Sequence, residues 1–383
     1  MSAEISAVCT VTSMRANSCP RRTYAGGNGS LPVGERRRRS LGQRQLLNIE
    51  EGAEPVVARL DEVVQLYCSV FNGVSEIEPP WTVEQATRFM RERARRTGLI
   101  STLLVDGHCL AGAFIAVLAL KADGIWISDA DLLVRPDYRA HGLGRELYHT
   151  GHLCAERTAI AAFGERPSMI EFSTYRHLDF PKNWWLSLGY RPFPLFSAGV
   201  AVQSANHACA EMTIRNVVLS EVDPVAAFMA GGNVHDLSGG IWTRKTAAPF
   251  LQFMIQNQAS LVRVVEADDG MAALIAGEFV LRRSGPFLTH ITYVGRNSDT
   301  VLSIALTDLV HVADKQCVKR HEMPLRGLEL ADERQARTLR RVLPGIAIDK
   351  DFVGMSMTFA RFIGNMRSRP RPDIQAIGSL MAG

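Results

Sequence analysis

The stretch RPDYRAHGLGREL (135–147) places Arg139 just ahead of Gly142 and Gly144, where the following residues read as a helix. The first turn of a helix leaves backbone N–H groups without partners and carries the positive end of the helix dipole. An anion accepts those hydrogens only where side chains do not hold it away, and glycine has no Cβ to do so. Arg139 adds a permanent cation suited to phosphate oxygens. Pro136 ends the preceding strand and sets the turn. The pattern predicts a phosphate or pyrophosphate cradle. It is not the dinucleotide fingerprint, which needs glycine where Leu147 stands, and no Gly-Lys-Ser/Thr follows to make a Walker A loop.

Such a cradle needs a strand before it and a helix behind it, and the surrounding periodicity supplies both. RQLLNIEE reads as a strand and AEPVVARLDEVVQLYCSVF as one amphipathic helix. A second helix, TVEQATRFMRERARRT, is capped by Thr82. LISTLLVDG and CLAGAFIAVLAL form a hairpin about Asp106-Gly107, and GIWISDADLLV is the next strand. The glycine-led helix follows, then the strand SMIEFSTY, the short helix FPKNWWLSLG and a closing strand, YRPFPLFSAGVAV. The fold class is α/β, with helices inserted into a mixed sheet.

The second half repeats this order. Trp81 and Trp242, Asp106-Gly107 and Asp269-Gly270, Val134 and Val294, and Glu171 and Glu329 recur in the same sequence at nearly constant spacing. Duplication of one unit is the simplest reading. At a spacing of 160, taken from Val134 and Val294, Arg139 maps to Asp299, Gly142 to Leu302 and Gly144 to Ile304. That copy is expected to have kept the fold and lost the anion.

The segment LLVRPDYRAHGLGREL resembles the acetyl-CoA-binding motif of the GNAT superfamily of N-acetyltransferases, V-x-P-x-x-R-x-x-G-x-G. Val134, Pro136, Arg139, Gly142 and Gly144 fall on its positions. WWLSLGYRPF is similar to the later motif of that superfamily. The resemblance covers about residues 43 to 205, and the C-terminal half follows by element order. It implies two tandem GNAT-like domains, 43–205 and a degenerate 206–383, with acetyl-CoA as co-substrate. It further implies an opening between the fourth and fifth strands, where the backbone of Leu132, Leu133 and Val134 pairs with the pantetheine arm. The segment Arg139, Ala140, His141, Gly142, Leu143, Gly144 and Arg145 would hold the pyrophosphate.

Acetyl transfer to an amine needs a proton acceptor, an oxyanion partner and a proton for the leaving thiolate. Asp129 and Asp131 stand two apart on a strand, so regular alternation puts both on one face, where each raises the other's pKa. Asp131 is the expected base, with Glu171 a further candidate. Members of the superfamily commonly carry a tyrosine four residues before the later motif's glycine, but Trp185 occupies that place here, and an indole is no practical proton donor. Tyr148 or Tyr190 is then the candidate acid, unless water or substrate protonates the thiolate. One of Trp184 and Trp185 is expected to pack and the other to line the acceptor cleft. His149 and His152 read as surface or packing residues.

The expected reaction is acetylation of a small-molecule primary amine. The alternatives are a protein or peptide amine, and a non-catalytic acetyl-CoA-binding sensor or scaffold. The net charge of +4 does not point to nucleic acid: the first 45 residues hold eight arginines and two glutamates, leaving the rest at −2. Residues 1–42 read as a disordered, Arg-rich tail. Arg36 to Arg39 read as a solvated extension, with a nucleic-acid tether, a membrane contact or a transit peptide as alternatives. Seven scattered cysteines without ligand spacing predict a reducing, cytoplasmic setting and no structural metal. No run of 18 apolar residues predicts a membrane span. The silent half is expected to shape the acceptor site or to mediate association as a homodimer.

Overall fold

The computed structural model describes residues 47–72, 80–139, 142–175, 179–199, 212–231, 235–237, 240–330, 333–343, 347–349 and 352–368. The Arg-rich stretch 1–42 lies outside them. The first half runs β1 (Leu47–Glu51), α1 (Ala53–Ala58), α2 (Leu60–Phe71), α3 (Val83–Ala94), β2 (Leu99–Asp106), β3 (Cys109–Lys121), β4 (Gly124–Val134), α4 (Leu143–Phe163), β5 (Met169–Tyr175), α5 (Asp179–Ser187), β6 (Arg191–Pro194) and β7 (Phe196–Gly199). The second runs β8 (Met212–Asn216), α6 (Val222–Met229), β9 (His235–Asp236), α7 (Arg244–Gln256), β10 (Ser260–Ala267), β11 (Gly270–Arg282), β12 (Gly285–Gly295), α8 (Asp299–His321), β13 (Gly327–Leu330), α9 (Glu333–Val342), β14 (Ala347–Asp349), β15 (Phe352–Thr358) and α10 (Phe359–Ser368).

Local chemistry explains most boundaries. Thr82 caps α3 by accepting from Gln85 N, and Thr243 caps α7 by accepting from Thr246 N, a matched pair 161 residues apart. Gly107 takes a left-handed conformation in the β2–β3 hairpin, as its Asp-Gly signal predicts. The single helix expected over 53–71 is broken at Arg59, whose guanidinium is drawn to Glu50 and Glu62.

The duplication is present, but its register differs from the sequence estimate. Asp106 pairs Cys109 at the first hairpin and Ala267 pairs Gly270 at the second, so 161 is the spacing from β2 to β4. Asp269-Gly270 therefore sits two residues past the counterpart of Asp106-Gly107. The helices after the fourth strands begin at Leu143 and Asp299, so Gly142 corresponds to Ser298 and Gly144 to Thr300.

The strands are also shared differently from their order along the chain. One sheet runs β1-β2-β3-β4-β5-β15-β6, and the other β14-β7-β13-β12-β11-β10-β8, with β9 on β12. The closing strand predicted over 190–202 divides at Leu195. β6, with Pro192 and Pro194, stays as an edge strand, where proline is tolerated, while β7 crosses to the second sheet. In return β15 inserts between β5 and β6. Met355, Met357, Phe359 and Phe362 thus complete the first half's core, and Phe196 and Ala198 enter the second's. The division at 205/206 separates chain halves but not sheets, and residues 41–383 make one compact unit. No described helix is long and apolar enough to cross a membrane.

Candidate active site

The glycine-led helix start lies at the end of β4. β4 and β5 pair in parallel only at Trp126–Met169 and Ile127–Ile170, then part, giving the opening the resemblance implies. Arg135 N donates to Ala111 O at 3.0 Å, which fixes the alternation of the ladder. Leu133 therefore faces β3, while Leu132 and Val134 turn their backbone groups to the open edge. Of the expected strip only these two are available. Arg139 is exposed and donates Nε to Val134 O at 3.1 Å. Leu143 is buried with Leu104, Ala111, Tyr138 and Leu147, which anchors the helix start. Ala140 and His141 lie outside the described residues.

The two glycines have different reasons to be there. Gly142 is the N-cap of α4 at φ 81°, a left-handed conformation that favours glycine whatever binds. Gly144 is helical, and a Cβ built on it meets nothing closer than Val134 Cγ2 at 3.5 Å, an ordinary contact. Packing within the chain does not require glycine at 144. No side chain caps α4, and Arg145 N turns back to Gly142 O at 3.1 Å. A bare helix start and an unforced glycine beside an open strand edge fit a pyrophosphate and its pantetheine arm.

The corresponding place in the second half is closed. β12 and β13 also part after Phe287–Gly327 and Leu288–Leu328. There, however, β9 pairs with the free edge, Asp236 opposite Val294 and His235 opposite Gly295, and Leu237 N donates to Tyr293 O at 3.0 Å. Tyr293 and Gly295 are the counterparts of Leu132 and Val134. Trp242 Nε1 donates to Asp236 Oδ2 at 2.5 Å, fixing β9 from the segment just before α7. Ser298 caps α8, its hydroxyl accepting from Val301 N. The second opening is filled by the chain's own backbone.

The candidate acids converge where the sheets meet. In each half a bulge interrupts the third and fourth strands, and its residue adopts positive φ: Asp129 at 52° and His290 at 50°. The bulge cancels the expected sharing of a face by Asp129 and Asp131, because 129 and 130 together stand opposite one residue of β3. Asp129 meets Arg96 at 3.3 Å and Arg282 at 3.5 Å, and Arg282 also holds Glu329 at 2.6 Å. His290 lies between Glu171 (3.6 Å) and Glu278 (3.2 Å), and Glu171 also takes Lys121 at 2.7 Å. Each bulge residue thus reaches across to an ion pair of the other half, with the charges exchanged.

These partners decide which acid can take a proton. Burial alone would raise Asp129, but Arg282, Arg96, His290 and Arg93 hold it well below the carboxylate range. Burial opposes charge on Glu171 too, yet Lys121 and His290 bring it down to about 2. Glu171 is ionised at neutral pH and too weak a base for an amine proton. Asp131 goes the other way: burial raises it despite the Arg93 ion pair, and it faces a cavity between α3, β4, β5 and the second half. His290 is carried up to about 9, because hydrogen bonds to Glu171 and Glu278 overcome the burial that would lower it. Sequence reasoning missed His290, Arg93 and Arg96; the match of Glu171 with Glu329 was the available signal for this network.

The expected acids are not in the opening. Tyr148 is 2% exposed, packed among Trp184, Trp185 and Phe362, and its hydroxyl shares a 2.7 Å hydrogen bond with that of Tyr190. Burial pushes both phenols well above the usual range. Trp184 and Trp185 both pack on this cluster, ring centroids 4.3 Å apart, and neither lines a described cavity. The expected division of labour between them is not found, because the insertion of β15 and α10 supplies the aromatic core that takes both. His152 is also packed, held neutral by burial with a pKa down to about 3, its Nδ1 bonded to Tyr148 O. Among the described residues no cluster of metal-ligating side chains occurs.

No protein-family model and no curated protein matches the chain. It is similar to a solved tandem GNAT protein from the clavulanic acid biosynthesis pathway, without AcCoA: 15% identity, 81% of this chain, 98% of that chain, TM-score 0.49. It is also similar to a GCN5-related N-acetyltransferase from Sphaerobacter thermophilus: 18% identity, 88% of this chain, 99% of that chain, TM-score 0.48.

Proposed function

We propose that the chain is a GNAT-type N-acetyltransferase that moves an acetyl group from acetyl-CoA to the primary amine of a small molecule. The observation that carries this reading is the contrast at the two strand edges. Leu132 and the Val134 N–H are open beside an uncapped, glycine-bearing helix start, with Arg139 Nε on Val134 O, whereas Tyr293 and Gly295 are bonded by β9 beside a capped one. Backbone of Leu132 and Val134 pairs with the pantetheine arm, and the start of α4 with Arg139 holds the pyrophosphate. Acetyl-CoA bound there supplies an activated acyl thioester. The carboxylate of Asp131 orients the acceptor ammonium at the cavity it lines. With Tyr148 and Tyr190 paired to each other in the core, the leaving thiolate takes its proton from solvent.

Titration calorimetry of the full chain with acetyl-CoA should give one site per chain. Thiol release across an amine panel then reports transfer. Absence of coenzyme binding would remove this reading. The sealed tyrosine pair favours one second reading, a sensor that binds acetyl-CoA without turning it over. Binding without thiol release on any amine would select it.

A further inference from the structure

The cavity beside Asp131 is built by both halves. It measures about 50 Å³; α3 contributes Phe89, Glu92, Arg93 and Arg96, while the second half contributes Phe279, Arg282, Arg320 and His321. The end of α8 is moored there by Arg88 Nη1, which donates to His321 O at 2.8 Å.

Two of these residues are not accounted for by the ion-pair network. Three of the four lining arginines are matched: Arg93 by Asp131, Arg96 by Asp129 and Glu278, and Arg282 by Glu329 and Asp129. Arg320 has no carboxylate partner among the described residues; its Nη1 donates to Gln258 O at 2.6 Å and its guanidinium lies over Phe279 at 5.7 Å. It is a positioned cation at the cavity rim with donors left for an anion. His321 is 4% exposed, and its buried Nδ1 has no hydrogen-bond partner. An unmatched buried ring nitrogen costs free energy that packing alone does not return.

We propose that the second half completes the acceptor pocket. Arg320 takes the carboxylate of an amino-acid-like acceptor, and His321 accepts the proton its ammonium must lose before attack. The inference rests on the acetyltransferase reading and narrows its substrate to amines that carry a carboxylate. The ammonium gives one proton to His321; the free amine then forms the C–N bond as the thioester C–S bond breaks. The second amine proton passes to solvent, from which the thiolate takes one, and His321 returns its own to solvent. Burial lowers the His321 pKa, with Arg320 and Arg88 adding to the effect and Glu92 opposing it, so the ring is neutral and ready at neutral pH. Arg93, Arg96, Asp129, Asp131 and Arg282 are the other charges facing the cavity.

The test uses the full chain, acetyl-CoA, and amino acids paired with their decarboxylated amines, such as lysine with cadaverine and tyrosine with tyramine. Amino acids should be acetylated in preference to their partners. Arg320→Gln should raise KM for the amino acid about tenfold or more and leave that of the amine unchanged. His321→Gln should lower kcat by about a hundredfold, the lower range for general-base catalysis, and abolish the acidic limb of the kcat/KM profile. Calorimetric affinity for acetyl-CoA should be unchanged in both variants, which separates this inference from the acetyltransferase reading itself. Transfer to the decarboxylated amines alone, or wild-type parameters in both variants, overturns it. Loss of acetyl-CoA binding in the wild type overturns the parent reading instead. Should His321→Gln fail to fold, Arg320→Gln, at an exposed position, carries the test alone.

Discussion

The two helix starts after the fourth strands are copies of one design with opposite outcomes. At Gly142 the strand edge is open and the helix is uncapped; at Ser298 the edge is bonded by β9 and the helix is capped by its own hydroxyl. Backbone groups must be satisfied by something, whether chain, water or ligand. The second half has internalised its partners and the first has left them to be supplied. On the proposed reading, closing the second opening took more than replacing glycines: a two-residue strand pairs with its edge and one serine caps its helix.

The largest expected effect tests whether the halves are separable at all. Chains cut between residues 205 and 206 and expressed separately should each fail to fold, because each core lacks strands carried by the other piece. Cooperative unfolding of either fragment by circular dichroism would contradict the exchange of β7 and β15.

Next in size is the network that joins the halves. His290→Ala leaves Glu171 and Glu278 buried without their shared partner, and removal of one member of a buried pair costs about 3–5 kcal/mol in denaturant unfolding. The same residue predicts a pH dependence. Its folded pKa, about 9, lies above the ordinary 6.5, so its contribution is fully present below pH 6.5 and is lost as pH rises through 9. The loss is on the order of 3 kcal/mol at 1.4 kcal/mol for each pH unit. His290→Gln should flatten that slope; an unchanged slope would place the titration elsewhere.

A smaller and more selective effect is expected at the open edge. Gly144→Ala adds a Cβ that the fold accommodates, and alanine in a helix gains about 0.5–1 kcal/mol over glycine. The melting temperature should hold or rise while acetyl-CoA affinity falls about tenfold or more, as loss of one charge-assisted hydrogen bond entails. Equal losses of stability and affinity would make Gly144 a structural glycine. Smallest is the mirror change, Ser298→Ala, which should cost about 1 kcal/mol as a lost cap. It should create no second coenzyme site in calorimetry, since β9 still occupies the edge.

The cradle was legible because its parts are neighbours along the chain. Arg139, Gly142 and Gly144 follow one strand, and local backbone geometry ties them together. Even so, the sequence could not distinguish a glycine imposed by its own φ, Gly142, from one left free of packing, Gly144. The candidate acids were harder to read. Asp131 and Glu171 look alike on paper, and only the groups brought up by folding, Arg93 on one side and Lys121 with His290 on the other, set their proton affinities apart. Alternation failed for Asp129 because one extra residue in a strand shifts its face.

The sequence by itself determined most of the elements, the duplicated order and the glycine-led helix start, all products of short-range geometry and periodicity. Tertiary structure alone decided that β9 closes the second opening, that β7 and β15 change places, and that Arg320 and His321 reach the first half's cavity. Those outcomes depend on strand pairing and charge pairing between residues far apart in the chain, and neither leaves a local mark on the residues involved.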